Sequence, residues 1–138
     1  MEGVSFFDHT GDLGFEVRAT DLVELFHLSA RGLYETLVET LPPPTDEVES
    51  VQLEEDAPDL LLRSFLSELL YRFLARRVIL VDFVAMSIGE KRFRARGRVG
   101  RFDQARDGLR TELKAVTYHQ LEVRRESSGW TARVIFDV

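Results

Sequence analysis

From Val78 to its end, this chain alternates apolar and polar residues with a period of two. That long β-patterned half, set behind two stretches of helical period, constrains the fold more than any other feature. In the first helical stretch Leu22, Leu25, Phe26, Ser29, Ala30, Leu33, Leu37 and Leu41 share one face. Asp21 reads as its N-cap, with Glu24 completing a capping box, and Pro42-Pro43-Pro44 stops it. The second stretch begins near Pro58, a good first-turn residue. It carries a Leu61, Phe65, Leu69, Phe73 stripe flanked by Leu62, Leu66, Leu70 and Leu74. Strand patterns cover Gly14 to Thr20, a short piece at Val48, Val51 and Leu53, and roughly 78–88, 91–100, 112–125 and 130–137. Gly89-Glu90 and Ser127-Ser128-Gly129 read as hairpin turns, and Phe102 to Arg110 as a connecting loop. Two helices and five or six strands need a shared layer. The expected fold is an α+β two-layer sandwich, with two helices packed on one mostly antiparallel sheet.

Composition narrows the function classes. The 138 residues, 44% hydrophobic and 30% charged, suit a single domain over 1–138 with one core. No apolar run approaches the roughly 20 residues that span a bilayer. The N-terminus, Met-Glu-Gly-Val-Ser-Phe-Phe-Asp, has neither a basic n-region nor an apolar h-region, so no export and no membrane contact is expected. With no cysteine, disulfides, zinc–thiolate sites and thiol nucleophiles are excluded. A cytoplasmic location fits this composition.

The net charge of −6 conceals an asymmetry. Residues 76–133 hold 14 of the 18 basic residues against 7 acids, whereas Glu39 to Asp59 contains eight acids and no Lys or Arg. Sixteen of the 18 cations are Arg, so the two lysines stand out. Arg92, Arg94, Arg96 and Arg98 alternate with Phe93, Ala95, Gly97 and Val99, which lines four guanidinium groups along one sheet face. Such a stripe reads as a solvated face, or as a contact for RNA phosphates or an acidic partner. It carries no interleaved aromatic for base stacking, so any RNA contact is expected to be indirect or weak.

Three short segments carry candidate chemistry. The strand pattern Trp130 to Phe136 runs straight into Asp137 and Val138 with no polar tail. The α-carboxylate of Val138 is therefore expected beside the Asp137 side chain, and two oxyanions so close require a cation, donors or bulk water. His9-Thr10-Gly11-Asp12 precedes a strand; alone, Asp12 also reads as an Asx-turn residue and His9 as a packing residue. Lys114-Ala-Val-Thr-Tyr-His119 mixes polar and apolar residues on both strand faces, which a plain half-buried strand avoids. Lys114 reads either as a surface lysine or as a point charge suited to a phosphate or a carboxylate cluster.

Taken together and in order, these segments resemble the archease family along essentially the whole chain. The resemblance is carried by His9-Thr10-Gly11-Asp12 with Leu13-Gly14, the two helices, Lys114 to His119, and the closing Val134-Ile-Phe-Asp-Val138. It implies a small cytosolic protein that activates an RtcB-type RNA ligase in tRNA splicing and RNA repair, promoting ligase guanylylation and repeated turnover. It also implies a divalent metal, taken in the family to be calcium, with Asp12 and Asp137 as ligands. Val138 adds a terminal carboxylate, and this all-oxygen set also suits Mg²⁺ or Mn²⁺. Lys114 matches a family lysine associated with activation, and His119 and His9 are further candidates to assist. Two departures stand out: Gly11 replaces a usual alanine, and Asp107 stands where many relatives have histidine.

No nucleophile–base pair or phosphate-cradling glycine loop accompanies these residues, which favours an activator over an enzyme. Two alternatives stay open. One is a metal-dependent hydrolase of a phosphorylated small molecule, with His9 or His119 as base. The other is a chaperone-like binding protein working through its acidic segment and arginine stripe.

Overall fold

The computed structural model describes residues 3–9 and 12–138, and the side chains of all of these except Asp8 and His9. In chain order the elements are β1 (Gly3–His9), β2 (Asp12–Ala19), α1 (Leu22–Leu37), β3 (Pro44–Glu54), α2 (Pro58–Arg76) and β4 (Val78–Ile88). They continue with β5 (Arg92–Arg101), α3 (Gln104–Asp107), β6 (Ala115–Val116), β7 (Glu122–Glu126) and β8 (Gly129–Asp137). Local chemistry sets several of these boundaries. The Asp21 side chain accepts from the Glu24 amide at 2.9 Å, and Glu24 reaches back to the Thr20 amide at 2.9 Å. Two orphan amides at the start of α1 are thereby satisfied. At the far end of α2, Arg77 turns into the left-handed region at φ 54° and its amide caps Phe73 and Arg72.

The α+β reading holds, with helices packed on antiparallel strands, but among the described residues the strands are eight in two sheets rather than five or six in one. The larger sheet runs β1-β2-β8-β6, with β7 also on β8; the smaller runs β3-β5-β4. Every described pair is antiparallel. Both helices touch both sheets. Phe26 of α1 and Phe65 of α2 lie 5.0 and 4.5 Å from Phe93 of β5, ring centre to ring centre. On the larger sheet, Gly32 of α1 is seated on the Phe15 ring of β2. A helical layer serving two sheets explains why α2 buries both its Leu61, Phe65, Leu69, Phe73 row and Leu62, Leu66, Leu70.

Three further departures have local causes. Strand β1 escapes the sequence pattern because its adjacent Phe6 and Phe7 break the alternation. Helix α1 stops at Leu37, before Leu41 and the prolines. Val38 bridges Leu109, while the Glu39 and Thr40 amides donate to Gly108 and Asp107. The single strand expected over 112–125 is broken into β6 and β7 by a turn in which Gln120 sits at φ 49° and the Leu121 amide donates to Tyr118. Gly14 is required where it stands: a Cβ there would lie 2.1 Å from the Val134 carbonyl oxygen. That close approach of β2 to β8 leads directly to the site.

Candidate functional site

The register of three strands assembles the residues singled out above. Leu13 of β2 pairs with Phe136 of β8, and the next position along places Asp12 across from Asp137. On the other side of β8, Asp137 pairs with Ala115 of β6, and the Lys114 amide donates to the Asp137 carbonyl at 2.8 Å. Strand β1 adds His9 across from Asp12. One row at the end of the larger sheet therefore reads His9, Asp12, Asp137, Ala115, with Lys114 and Val138 at its rim. The side chain of His9, and Thr10 and Gly11, lie outside the described residues.

Residues directly opposite in an antiparallel pair present their side chains on the same face, Cβ atoms about 5 Å apart. The buried partners Phe15–Val134 and Val17–Ala132 mark the helix-facing side. Asp12 and Asp137 alternate onto the other side, together with Glu16 and Arg133. There the Glu16–Arg133 pair is compensated at 2.9 Å. Among the described residues no ion pair reaches Asp12 or Asp137. Like charges in directly opposed positions destabilise a sheet, and no ion pair among the described residues offsets this one. Its donors are hard oxygens, the chemistry of Ca²⁺ and Mg²⁺ sites. Among the described residues no cluster of three or more His, Cys, Asp or Glu forms. Two carboxylates fall well below the six to eight oxygens that Ca²⁺ takes, so a Ca²⁺ ion here would need further oxygens from Val138, water or a partner. Asp12 is half-buried, whereas Asp137, Val138 and Lys114 are exposed.

The remaining candidates divide. The Lys114 side chain lines a cleft of about 260 Å³ floored by Leu37, Phe73 and Leu113, with Arg77 on its wall. His119 is exposed in the turn after β6; Thr117 already stands level with Ile135, two residues back from Asp137, and His119 lies two residues further on. The row therefore does not include it. Asp107 is buried at 2% exposure and saturated: it accepts from Arg106 Nε at 2.8 Å, Arg106 Nη2 at 2.9 Å and the Asp103 amide at 2.9 Å. The Arg106 hydrogen bond holds its carboxyl below the usual range. Asp107 thus closes α3 and has little capacity left for a ligand. Arg92, Arg94, Arg96 and Arg98 all line the exposed face of β5 in the smaller sheet.

Arg63 is the residue that reading the sequence missed. From the second turn of α2 its Nε donates to the Val116 carbonyl at 3.0 Å, and its guanidinium lies 3.8 Å from the centre of the Tyr118 ring. It thereby pins β6, the strand that borders Asp137. One arginine among three in a leucine-rich helix looks like any solvated position, and nothing local marks this one.

Residues 5–138 match the family model of the Archease protein family. The chain is similar to the Protein archease of Methanosarcina barkeri, 30% identical over 96% of this chain and 94% of that one. It is 32% identical to the Protein archease of Archaeoglobus fulgidus, over 96% and 97%. Its fold superposes on the solution structure of a Methanobacterium thermoautotrophicum protein with a TM-score of 0.79, at 30% identity and full coverage of both chains. A crystal structure from Thermotoga maritima, described as an archease and possible chaperone, shares the fold at a TM-score of 0.66 and 16% identity, over 96% and 94%.

Proposed function

The chain belongs to the archease protein family, and on that premise we propose that it is a cytoplasmic accessory protein of an RtcB-type RNA ligase in tRNA splicing or RNA repair. It promotes guanylylation of the ligase and lets it turn over repeatedly; the ligase itself joins the strands. The observation that supports this reading is the pair Asp12 and Asp137, opposed at an open sheet end with no ion pair among the described residues and with the Lys114 backbone amide on the Asp137 carbonyl. With the α-carboxylate of Val138 they would hold a divalent cation, Ca²⁺ first and Mg²⁺ or Mn²⁺ as alternatives. When bound, such an ion supplies charge neutralisation and coordination positions for oxygen ligands from a partner. Asp12 and Asp137 supply the fixed carboxylates, placed by backbone pairing rather than by flexible loops. Lys114, on the rim, presents a compact ammonium charge toward a phosphate of the docked partner. The exposure of Asp137, Lys114 and Val138 suits docking better than an enclosed reaction.

The test is a ligation assay with limiting ligase and excess RNA, with and without this protein. Multiple turnover is expected only in its presence, and Asp137→Ala should remove the stimulation while circular dichroism shows an intact fold. Turnover that persists with Asp137→Ala would overturn the assignment of the site.

A further inference from the structure

We propose that the outer face of the β3-β5-β4 sheet is a docking surface for an acidic protein partner, centred on Arg94 and Arg96. Strand β5 turns Arg92, Arg94, Arg96 and Arg98 to solvent and buries Phe93, Ala95, Gly97 and Val99 against the helices. The two end arginines are engaged, Arg92 with Glu54 at 3.3 Å and Arg98 with Asp82 at 2.6 Å. The two central ones are not. Arg94 stands between Gln52 and Ser87, and Arg96 between Ser50 and Val84. Among the described residues no ion pair reaches either. At two residues' separation in a strand the two guanidinium groups originate about 7 Å apart, close enough to favour a shared counter-charge.

Apolar side chains share this face. Val84 is 67% exposed, Val48 54%, and Met86 47% in the bulge between Ala85 and Ser87. Arginine and methionine are enriched at protein–protein interfaces while Lys, Asp and Glu are depleted, and that is the composition at the centre of this patch. A polynucleotide fits less well. The patch has no aromatic side chain on which a base could stack. Glu54 and Asp82 border it, Asp46 acts on Arg98, and the whole chain carries −6. Carboxylates set in apolar surroundings match both halves of the surface, because each free guanidinium can take one in bidentate fashion. The two irregularities in β4, between Leu80 and Asp82 and between Ala85 and Ser87, discourage an added strand at that edge. Docking is therefore onto the face.

The choice of partner rests on the ligase reading above, so the probe is purified RtcB-type ligase, with a single-stranded RNA oligomer as the second probe. Binding of each is measured at low and high salt for the wild type, for Arg94→Glu/Arg96→Glu and for Arg94→Gln/Arg96→Gln. The charge-reversed variant is expected to bind the ligase roughly tenfold more weakly, with a shallower salt dependence and the glutamine variant in between. Turnover should return when the variant is supplied in excess. Unchanged ligase affinity, or a loss confined to RNA binding, would overturn the proposal. Weakened binding by the charge-reversed variant alongside normal stimulation by Asp137→Ala would sink the carboxylate site and leave the docking face standing. A wild type that neither binds nor stimulates the ligase would remove both.

Discussion

Charge is treated in opposite ways at Glu49 in the smaller sheet and at Asp12 and Asp137 in the larger one. Glu49, on β3, is partly buried and accepts from Arg72 at 3.0 Å and twice from Arg76 at 2.8 Å. Arg72 is steadied in turn by Glu68 at 2.9 Å and donates to the Ser50 carbonyl. The hydrogen bond from Arg76 outweighs burial and holds the Glu49 carboxyl below its ordinary range, with the charges of Arg76, Arg72 and Arg101 adding to it. Asp12 and Asp137, by contrast, stand side by side without a cation among the described residues. The first arrangement ties β3 to α2 and serves the fold. The second costs the fold something, and the cation and partner proposed above would supply a reason outside it.

The largest expected effect separates the two regions by function. Asp137→Ala, and Asp12→Asn likewise, should reduce ligase stimulation by roughly tenfold or more, since each removes one of only two fixed carboxylates. Thermal melts should show no loss of stability and a gain of up to about 1 kcal/mol, because a like-charge pair is relieved. A clear destabilisation would mean the pair is already compensated. Glu49→Ala should do the reverse. Removing the acceptor that Arg72 and Arg76 share is expected to cost about 2 kcal/mol in urea unfolding, with stimulation by the folded fraction unchanged.

Titration sharpens the contrast further. A carboxyl depressed on folding contributes stability that is fully present above its unfolded value, near 4.3 for Glu, and lost as pH falls through the folded value. Stability should therefore decline below about pH 4 in the wild type, and Glu49→Gln should flatten that decline while lowering the plateau above it. The smallest effect is expected at Arg63→Ala. Loss of the Val116 hydrogen bond and the Tyr118 stack should cost about 1 kcal/mol. Faster amide exchange in β6, together with a modest rise in the amount of protein needed for half-maximal stimulation, would assign Arg63 a positioning role. Unchanged exchange there would deny it.

Much of this molecule is legible residue by residue. The Asp21 cap, the buried rows of α2 and the alternation of β5 depend on neighbours within four positions, and the structure reproduces them. The carboxylate row was only half legible. Asp12 and Asp137 carried a chemical signature, yet nothing local says that β8 inserts between β2 and β6 and so brings them together. Arg63 was illegible for the same reason, since its role lies in partners supplied by folding, Val116 and Tyr118, whereas the partners that saturate Asp107, Arg106 and Asp103, are local and went unread.

By itself the sequence determined that two helices and a set of antiparallel strands would form, most of the side chains each would bury (Leu41 and Leu74 are exposed instead), and which oxygen and ammonium groups were available for chemistry. Those outcomes follow from periodicity and local hydrogen bonding, which short segments encode completely. Only the tertiary structure decided that the strands divide into two sheets around the helices, that Asp12 stands opposite Asp137, and that Arg94 and Arg96 find no acidic partner among the described residues while their neighbours do. Strand pairing and ion pairing join residues far apart in the chain, and their energies exist only once the chain has closed on itself.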